Sequence, residues 1–480
     1  MEAVLEWYRW IVKRSVTRRK GKGERPRYSR TRFRKKTDTT QGVISMEEAN
    51  NTKNDYEREP VPLSLRKGWI PLSLVWIAIG IDISSMLLGA QLGGGMDFGD
   101  AIGAVMLGSL LLGIMGAICA YIGAATGLST AMITRYAFGE YGARLISAII
   151  GLSLLGWFGV QAGFFAQNVQ TALDSVLGIK LDDSVLSVIG GLLMMSTAIY
   201  GYRALERLSS WAVPLMVLLI GVSIFLTLRA HPLAEISHMG VNGEPMSFGM
   251  AVSLVIGIFV VGTIITPDVS RWARTRKDAV LASFFGFFIG NSFMIVVAII
   301  LSKAMGTSDL TTIFLALGLG IPAILVITLA QWTTNTSNLY SSSLGFAVVF
   351  SKVPKTLITV VAGLLATALA YMGIYDRFIT FLSFITMLIA PVGGICIAEY
   401  YVVNRTAFAF EKGHKQLIAR SLVSWLLASF IAYCTTAAPD GLGLFHLTTV
   451  PALDGFLSGV LFQIILGKAL AKREAANQAA

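Results

Sequence analysis

Charge is scarce in this sequence. Only 14% of its 480 residues are Asp, Glu, Lys or Arg, where a soluble globular chain carries about a quarter. With 54% hydrophobic residues and a mean hydropathy of +0.67, that scarcity excludes an ordinary soluble domain. Cysteine is nearly absent. Cys119, Cys396 and Cys434 lie far apart within apolar runs and suggest neither a disulfide frame nor a metal site. The four histidines, His231, His238, His414 and His446, fall in predicted loops or helix ends without ligand spacing. There is no His-Glu-x-x-His, no phosphate-cradling Gly-x-x-x-x-Gly-Lys and no Ser/His pair at shared depth. An integral membrane enzyme therefore lacks a supporting constellation.

What the chain does have is a series of apolar runs, each long enough to cross a bilayer, which needs about 20 such residues. They predict an all-α polytopic membrane protein. The formal net charge of +11 belongs to one end: residues 1–36 hold 14 Lys and Arg against three Glu, and the other 25 basic and 25 acidic residues balance. The folded body is thus neutral, and no nucleic-acid partner is expected. Residues 1–68 read as a basic cytoplasmic tail without sustained apolar period. Such a tract lies against an anionic lipid surface or is simply solvated and disordered. Without an apolar core and cleavage site it is not a signal peptide. A start at Met46, where the charge balance and tone change, is a further alternative.

Twelve spans are predicted, at about 70–93, 100–125, 143–172, 185–202, 209–228, 247–266, 279–301, 311–335, 354–372, 378–402, 421–438 and 451–467. Seventeen basic residues, Arg135, Arg203, Arg271 and Lys352 among them, fall between spans on one side, against Lys180, Arg229, Lys303 and Arg377 on the other. The richer side is expected to be cytoplasmic, which puts both termini on the cytoplasmic side of the plasma (inner) membrane.

The organising stretch is Ile70 to Gly95. It carries Ile79-Gly80-Ile81-Asp82-Ile83-Ser84-Ser85 at its middle and Gly93-Gly94-Gly95 at its end. A carboxylate at the bilayer centre costs about 2.5 to 3.5 kcal/mol, so Asp82 is expected to face a bundle interior or cavity. It either lines a site at an interrupted helix or caps a re-entrant turn. Span six repeats the oddity with Gly257, Gly262 and Pro267. If spans one and six open two inverted five-helix halves, two broken helices face each other at the midplane.

Polar groups also collect in spans three and eight. Trp157 and Gln161 stand four residues apart and share one helix face, which suits either a stacked, hydrogen-bonded heterocycle or interhelical packing. Span eight is expected to end in Gln331-Trp332-Thr333-Thr334-Asn335-Thr336-Ser337-Asn338. Its hydroxyls and carbonyls are hard ligands for a small cation, or members of an interhelical network.

These residues resemble the nucleobase:cation symporter-1 family, most nearly its bacterial cytosine permease branch. The likeness rests on Gly123-Ala124-Ala125-Thr126-Gly127-Leu128-Ser129, Arg135-Tyr136-Ala137-Phe138-Gly139, Gly156-Trp157-Phe158-Gly159, Thr333-Thr334-Asn335 and Pro391-Val392-Gly393-Gly394. It runs from about residue 60 to 470. The resemblance implies a ten-helix core over 69–402, with inverted repeats near 69–228 and 247–402, and two peripheral helices with a short cytoplasmic tail over 403–480. It implies alternating access of a heterocycle coupled to Na⁺ or H⁺, with no other cofactor or metal. Trp157 would stack one face and Phe259 the other. Asn335 would bond the heterocycle, and Gln161 takes the amide position of the hydantoin-type members. Thr333 and Thr334 would offer hydroxyls to a cation, completed by carbonyls near Ile81 and Asp82.

The sequence also departs from the family pattern. Ile258, Val260 and Val261 surround Phe259 where cytosine permeases carry polar residues. Asp82 replaces an aromatic in span one, and Glu399 stands for the usual Asp after the Pro-Gly-Gly segment. These changes leave a transporter as the expectation and make cytosine itself less secure. A hydantoin, allantoin or hydroxymethylpyrimidine permease and a non-transporting sensor are the alternatives. Asp82 has three expected roles: substrate acceptor, Na⁺ ligand or proton carrier. Thr333 and Thr334 favour Na⁺.

Overall fold

The computed structural model describes residues 60–80, 83–199, 202–350, 352–404, 408 and 415–479. The basic tail before residue 60, and Ile81 and Asp82, lie outside the described residues. Among those described, the regular structure is helical except for one isolated bridge between Lys67 and Ala273. Helices α1 (Trp69–Gly80) and α2 (Ile83–Gly95) flank Ile81 and Asp82. They are followed by α3 (Phe98–Thr126), α4 (Thr130–Leu177), α5 (Asp183–Ile199) and α6 (Tyr202–Ala230). The next span is in three pieces, α7 (Phe248–Gly257), α8 (Val260–Ile264) and α9 (Thr266–Ser270). Then come α10 (Arg276–Met305), α11 (Leu310–Ala316), α12 (Gly320–Val349), α13 (Lys355–Tyr371) and α14 (Phe378–Ala398), which ends in a π-helical turn, Glu399–Val403. The last helices are α15 (Ala419–Thr435) and α16 (Pro451–Ala479).

Among the described residues, five helices are individually long and apolar enough to cross a membrane, by length and composition. Further apolar helices fall short of that measure, several because they are only 10–17 residues long. The α7–α9 span is broken into short pieces, and α12 is diluted by its polar run. Span eight also differs from the sequence expectation. Residues 311–335 do not form one helix: Asp309 caps the short α11 through Thr311 N and Thr312 N, a turn with positive φ at Gly318 and Gly320 follows, and α12 then runs to Val349. The polar run therefore lies in mid-helix. It stays helical because Thr333, Thr336 and Ser343 donate to carbonyls three or four residues back, which satisfies each hydroxyl within its own helix.

Close backbone packing holds the first helices in place. Gly80 lies against Gly290 of α10, where a Cβ would come within 2.7 Å of the Gly290 carbonyl carbon. Small residues permit this approach where lipid supplies no hydrophobic force between helices. At one end of the molecule, Lys67 N donates to Trp272 O and Arg274 N to Lys67 O, both at 2.7 Å. These bonds tie the start of α1 to the end of α9. Asp268 Oδ1 accepts from Thr130 N (2.8 Å) at the head of α4. At the other end, the carbonyls of Gly94 and Gly95 accept from Asn242, Gly243 and Met246. The buried Lys303 ammonium donates to the carbonyls of Met239 and Gly240 in that same loop.

Gly139 breaks the long α4 at φ 79°. The segment before α15 fills the break, with bonds from Glu140 N to Lys415 O, Tyr141 N to Gln416 O and Ile418 N to Phe138 O. A Cβ at Gly139 would meet Leu417 Cα at 2.7 Å, so both the dihedral and the contact require glycine.

Candidate functional site

The break between α7 and α8 falls at Phe259, whose backbone leaves the helix at φ −121°, ψ 11°. Ile258, Val260 and Val261 are buried around it. The Phe259 ring meets Phe287 of α10 edge-on at 6.3 Å, and Phe287 in turn lies 4.6 Å from Trp76 of α1. Gly262 sits where these three rings converge: a Cβ there would lie within 3.6 Å of each.

On α4, Trp157 is buried, with its ring edge-on to Phe381 (5.3 Å) and Phe378 (6.1 Å) of α14. Trp157 and Phe259 belong to one continuous apolar core, each braced by a different neighbouring helix. One turn beyond Trp157, Gln161 is wholly buried, and its Nε2 donates to the Ser84 hydroxyl in the first turn of α2. Ser84 is the partner that sequence reading misses. It stands two residues from Asp82, but its pairing with residue 161 crosses 77 positions, and only tertiary packing reveals it.

Helix α12 supplies the rest. Asn335 is fully buried; its Nδ2 donates to Phe158 O (3.1 Å) and touches Met194 Sδ (3.1 Å), which fastens α12 to α4 and α5. Its Oδ1 has no partner among the described residues. The Thr333 hydroxyl donates to Ala330 O at 2.8 Å, which leaves its oxygen lone pairs free to accept or ligate. Thr334 is half-buried on the next face. Trp332 turns the other way and donates Nε1 to Thr197 Oγ1 of α5 at 2.9 Å. Asp82 and the Ile81 carbonyl lie outside the described residues. Among the described residues the Trp157 ring meets Phe378 and Phe381 and the Phe259 ring meets Phe287, while the Gln161 and Asn335 amides meet Ser84 and the Phe158 carbonyl. Groups of these kinds are able to stack on and hydrogen-bond a flat polar molecule, and hydroxyl oxygens are able to ligate a small cation.

Long apolar helices and a helix broken at Phe259 describe a multi-pass membrane protein. A family profile described as "Permease for cytosine/purines, uracil, thiamine, allantoin" matches residues 60–421. The cytosine permease of Escherichia coli K12 is 35% identical over 424 residues, covering 88% of this chain and 96% of that one. The chain belongs to this permease family. It is also similar to the hydantoin permease of Microbacterium maritypicum, at 24% identity over 377 residues, 70% of this chain and 73% of that protein. Among solved structures it shares its fold with Mhp1. The inward-facing form superposes with TM-score 0.74 at 18% identity, covering 86% of this chain and 93% of Mhp1. The closed form with bromovinylhydantoin bound, described as a nucleobase-cation-symport-1 family transporter, gives TM-score 0.70 at 18% identity, covering 87% and 96%.

Proposed function

We propose that this permease is a secondary active transporter that imports a nucleobase or related planar heterocycle by cation symport and alternating access. It works in the plasma membrane with both termini cytoplasmic. Its twelve spans comprise a core of two inverted five-helix repeats over 69–402 and two peripheral helices over 403–480. It releases its ligand chemically unchanged and is not an enzyme. The observation that carries this reading is the buried bond from Gln161 to Ser84. It holds an amide on the Trp157 face of α4 against the start of α2, two sequence positions after Asp82, at a depth suited to reading a midplane ligand.

In this reading Trp157 and Phe259 stack the ring, and Gln161 and Asn335 bond its edge. Thr333 and Thr334 ligate Na⁺ together with backbone carbonyls near Ile81 and Asp82. With Ile258, Val260 and Val261 unable to hydrogen-bond, specificity falls to the amides and Asp82. A hydantoin-type substrate is the second reading, favoured by the amide at Gln161.

The test is binding of cytosine, uracil, hypoxanthine and hydantoin to the purified protein, with and without Na⁺. Saturable binding of at least one, strengthened by Na⁺, is expected. Competition by an amino acid and by no heterocycle would contradict the proposal. Asp82→Asn then assigns the carboxylate. Lost accumulation with retained binding and exchange marks a proton carrier, a raised Na⁺ requirement a sodium ligand, and an altered substrate ranking at constant Na⁺ dependence a substrate acceptor.

A further inference from the structure

Gln331 is the one residue of the polar run in α12 whose side chain is both fully buried and wholly without partners: neither Nε2 nor Oε1 has a hydrogen bond among the described residues. A buried amide left unmade on both atoms loses its water bonds and regains nothing, so such groups are rare unless something completes them.

The packing of α12 shows which way this amide faces. Its neighbour Ala330 packs in the cluster that holds Ile83 and Met86 of α2, while Trp332 and Leu339 pack in the cluster of Leu155, Phe158 and Ala162 on α4. Residues 331, 334, 335 and 338 recur at three- and four-residue spacing and share one helix face, lying between those two contacts. Two bonds set the level. Asn335 Nδ2 reaches Phe158 O and Ser342 Oγ reaches Gly151 O, so α12 and α4 run antiparallel in a register that brings Gln331 level with Gln161 and Ala162. The unpartnered amide thus stands at the depth of the Gln161–Ser84 bond, one turn from Asn335, whose Oδ1 is also free.

We propose that Gln331 is a specificity-determining residue of the substrate site, and that its amide pairs with a ring edge presenting one acceptor beside one N–H, as a cyclic amide or amidine does. This inference rests on the transporter reading above. A cation would engage Oε1 alone and leave Nε2 unpaired, and no interhelical bond reaches either atom among the described residues. A donor–acceptor edge satisfies both atoms at once.

The experiment measures equilibrium binding of cytosine and hydantoin, and of derivatives of each methylated at a single nitrogen, to wild type and to Gln331→Leu. In wild type, one methylation position is expected to weaken binding roughly tenfold or more. In Gln331→Leu the parent compound weakens by a similar factor, and the penalty for that same methylation disappears. If Gln331→Leu does not fold, Gln331→Met, of nearly the same length, replaces it. A variant that keeps the wild-type ratio of parent to methylated affinities at every position overturns the inference, and so does one that changes only the Na⁺ requirement. Failure of wild type to bind any heterocycle would instead overturn the transporter reading.

Discussion

Gln161 of α4 donates its side-chain amide to the hydroxyl of Ser84 at the start of α2, and both residues are fully buried. The pair joins α2 to α4, which the sequence separates by one intervening helix, α3. Ser84→Ala removes the acceptor and frees the amide to reorient. Binding of the heterocycle is expected to fall about tenfold, in line with about 1 to 3 kcal/mol for a buried donor left unmatched. Ser85, whose buried Oγ has no partner among the described residues, serves as the control: Ser85→Ala should leave binding and melting temperature near wild type. Equilibrium binding and thermal unfolding of the two variants check this.

Trp157→Ala should weaken heterocycle binding roughly ten- to a hundredfold, because stacking of a base on an aromatic ring is worth about 1 to 3 kcal/mol. Trp157→Phe keeps a ring for stacking and should lie between alanine and wild type. Normal transport by a well-expressed Trp157→Ala protein would remove Trp157 from the site.

Glu399 is wholly buried, takes Arg420 Nη2 at 2.6 Å on Oε1 and accepts from Gln463 Nε2 at 2.6 Å on Oε2. This cluster joins the end of α14 to α15 and α16. Arg420→Leu leaves a buried carboxylate unpaired and should cost about 3 to 5 kcal/mol. Combining it with Glu399→Leu should recover much of that loss, since an apolar pair of similar volume replaces an ion pair at little net cost. Thermal unfolding of the two single variants and the double variant gives the coupling.

The Asp268 carboxylate accepts the backbone N–H of Thr130 in the first turn of α4. Asp268→Ala should cost about 0.5 to 2 kcal/mol, as loss of a helix N-terminal acceptor does. The effect should be local, read as faster amide hydrogen exchange over residues 130–134 with little change in α10.

Much of this architecture is legible in the sequence. Low charge and long apolar runs suffice for a helical membrane protein. Gly257 and Pro267 mark a span that does break, at Ile258 and Phe259. Span eight was harder to read. A run of hydroxyls and amides looks like a helix end, yet hydroxyls bonded to their own helix carbonyls let α12 carry it at mid-length. The partners of Gln161 and Asn335 were not legible, because helix periodicity gives the face of a side chain but not the element that packs on it. Gln331 was visible only as a member of the run; that both of its polar atoms are unpaired is a property of the packing.

The central claim is accumulation driven by an ion gradient. It is tested most directly by uptake of labelled cytosine, uracil, hypoxanthine or hydantoin into vesicles reconstituted with the purified protein, under an inward Na⁺ gradient or an inward H⁺ gradient. At least one compound is expected to concentrate inside above its external level under the Na⁺ gradient, and to leak back when that gradient is dissipated. Binding without uptake, or equilibration without concentration under either gradient, would contradict the account.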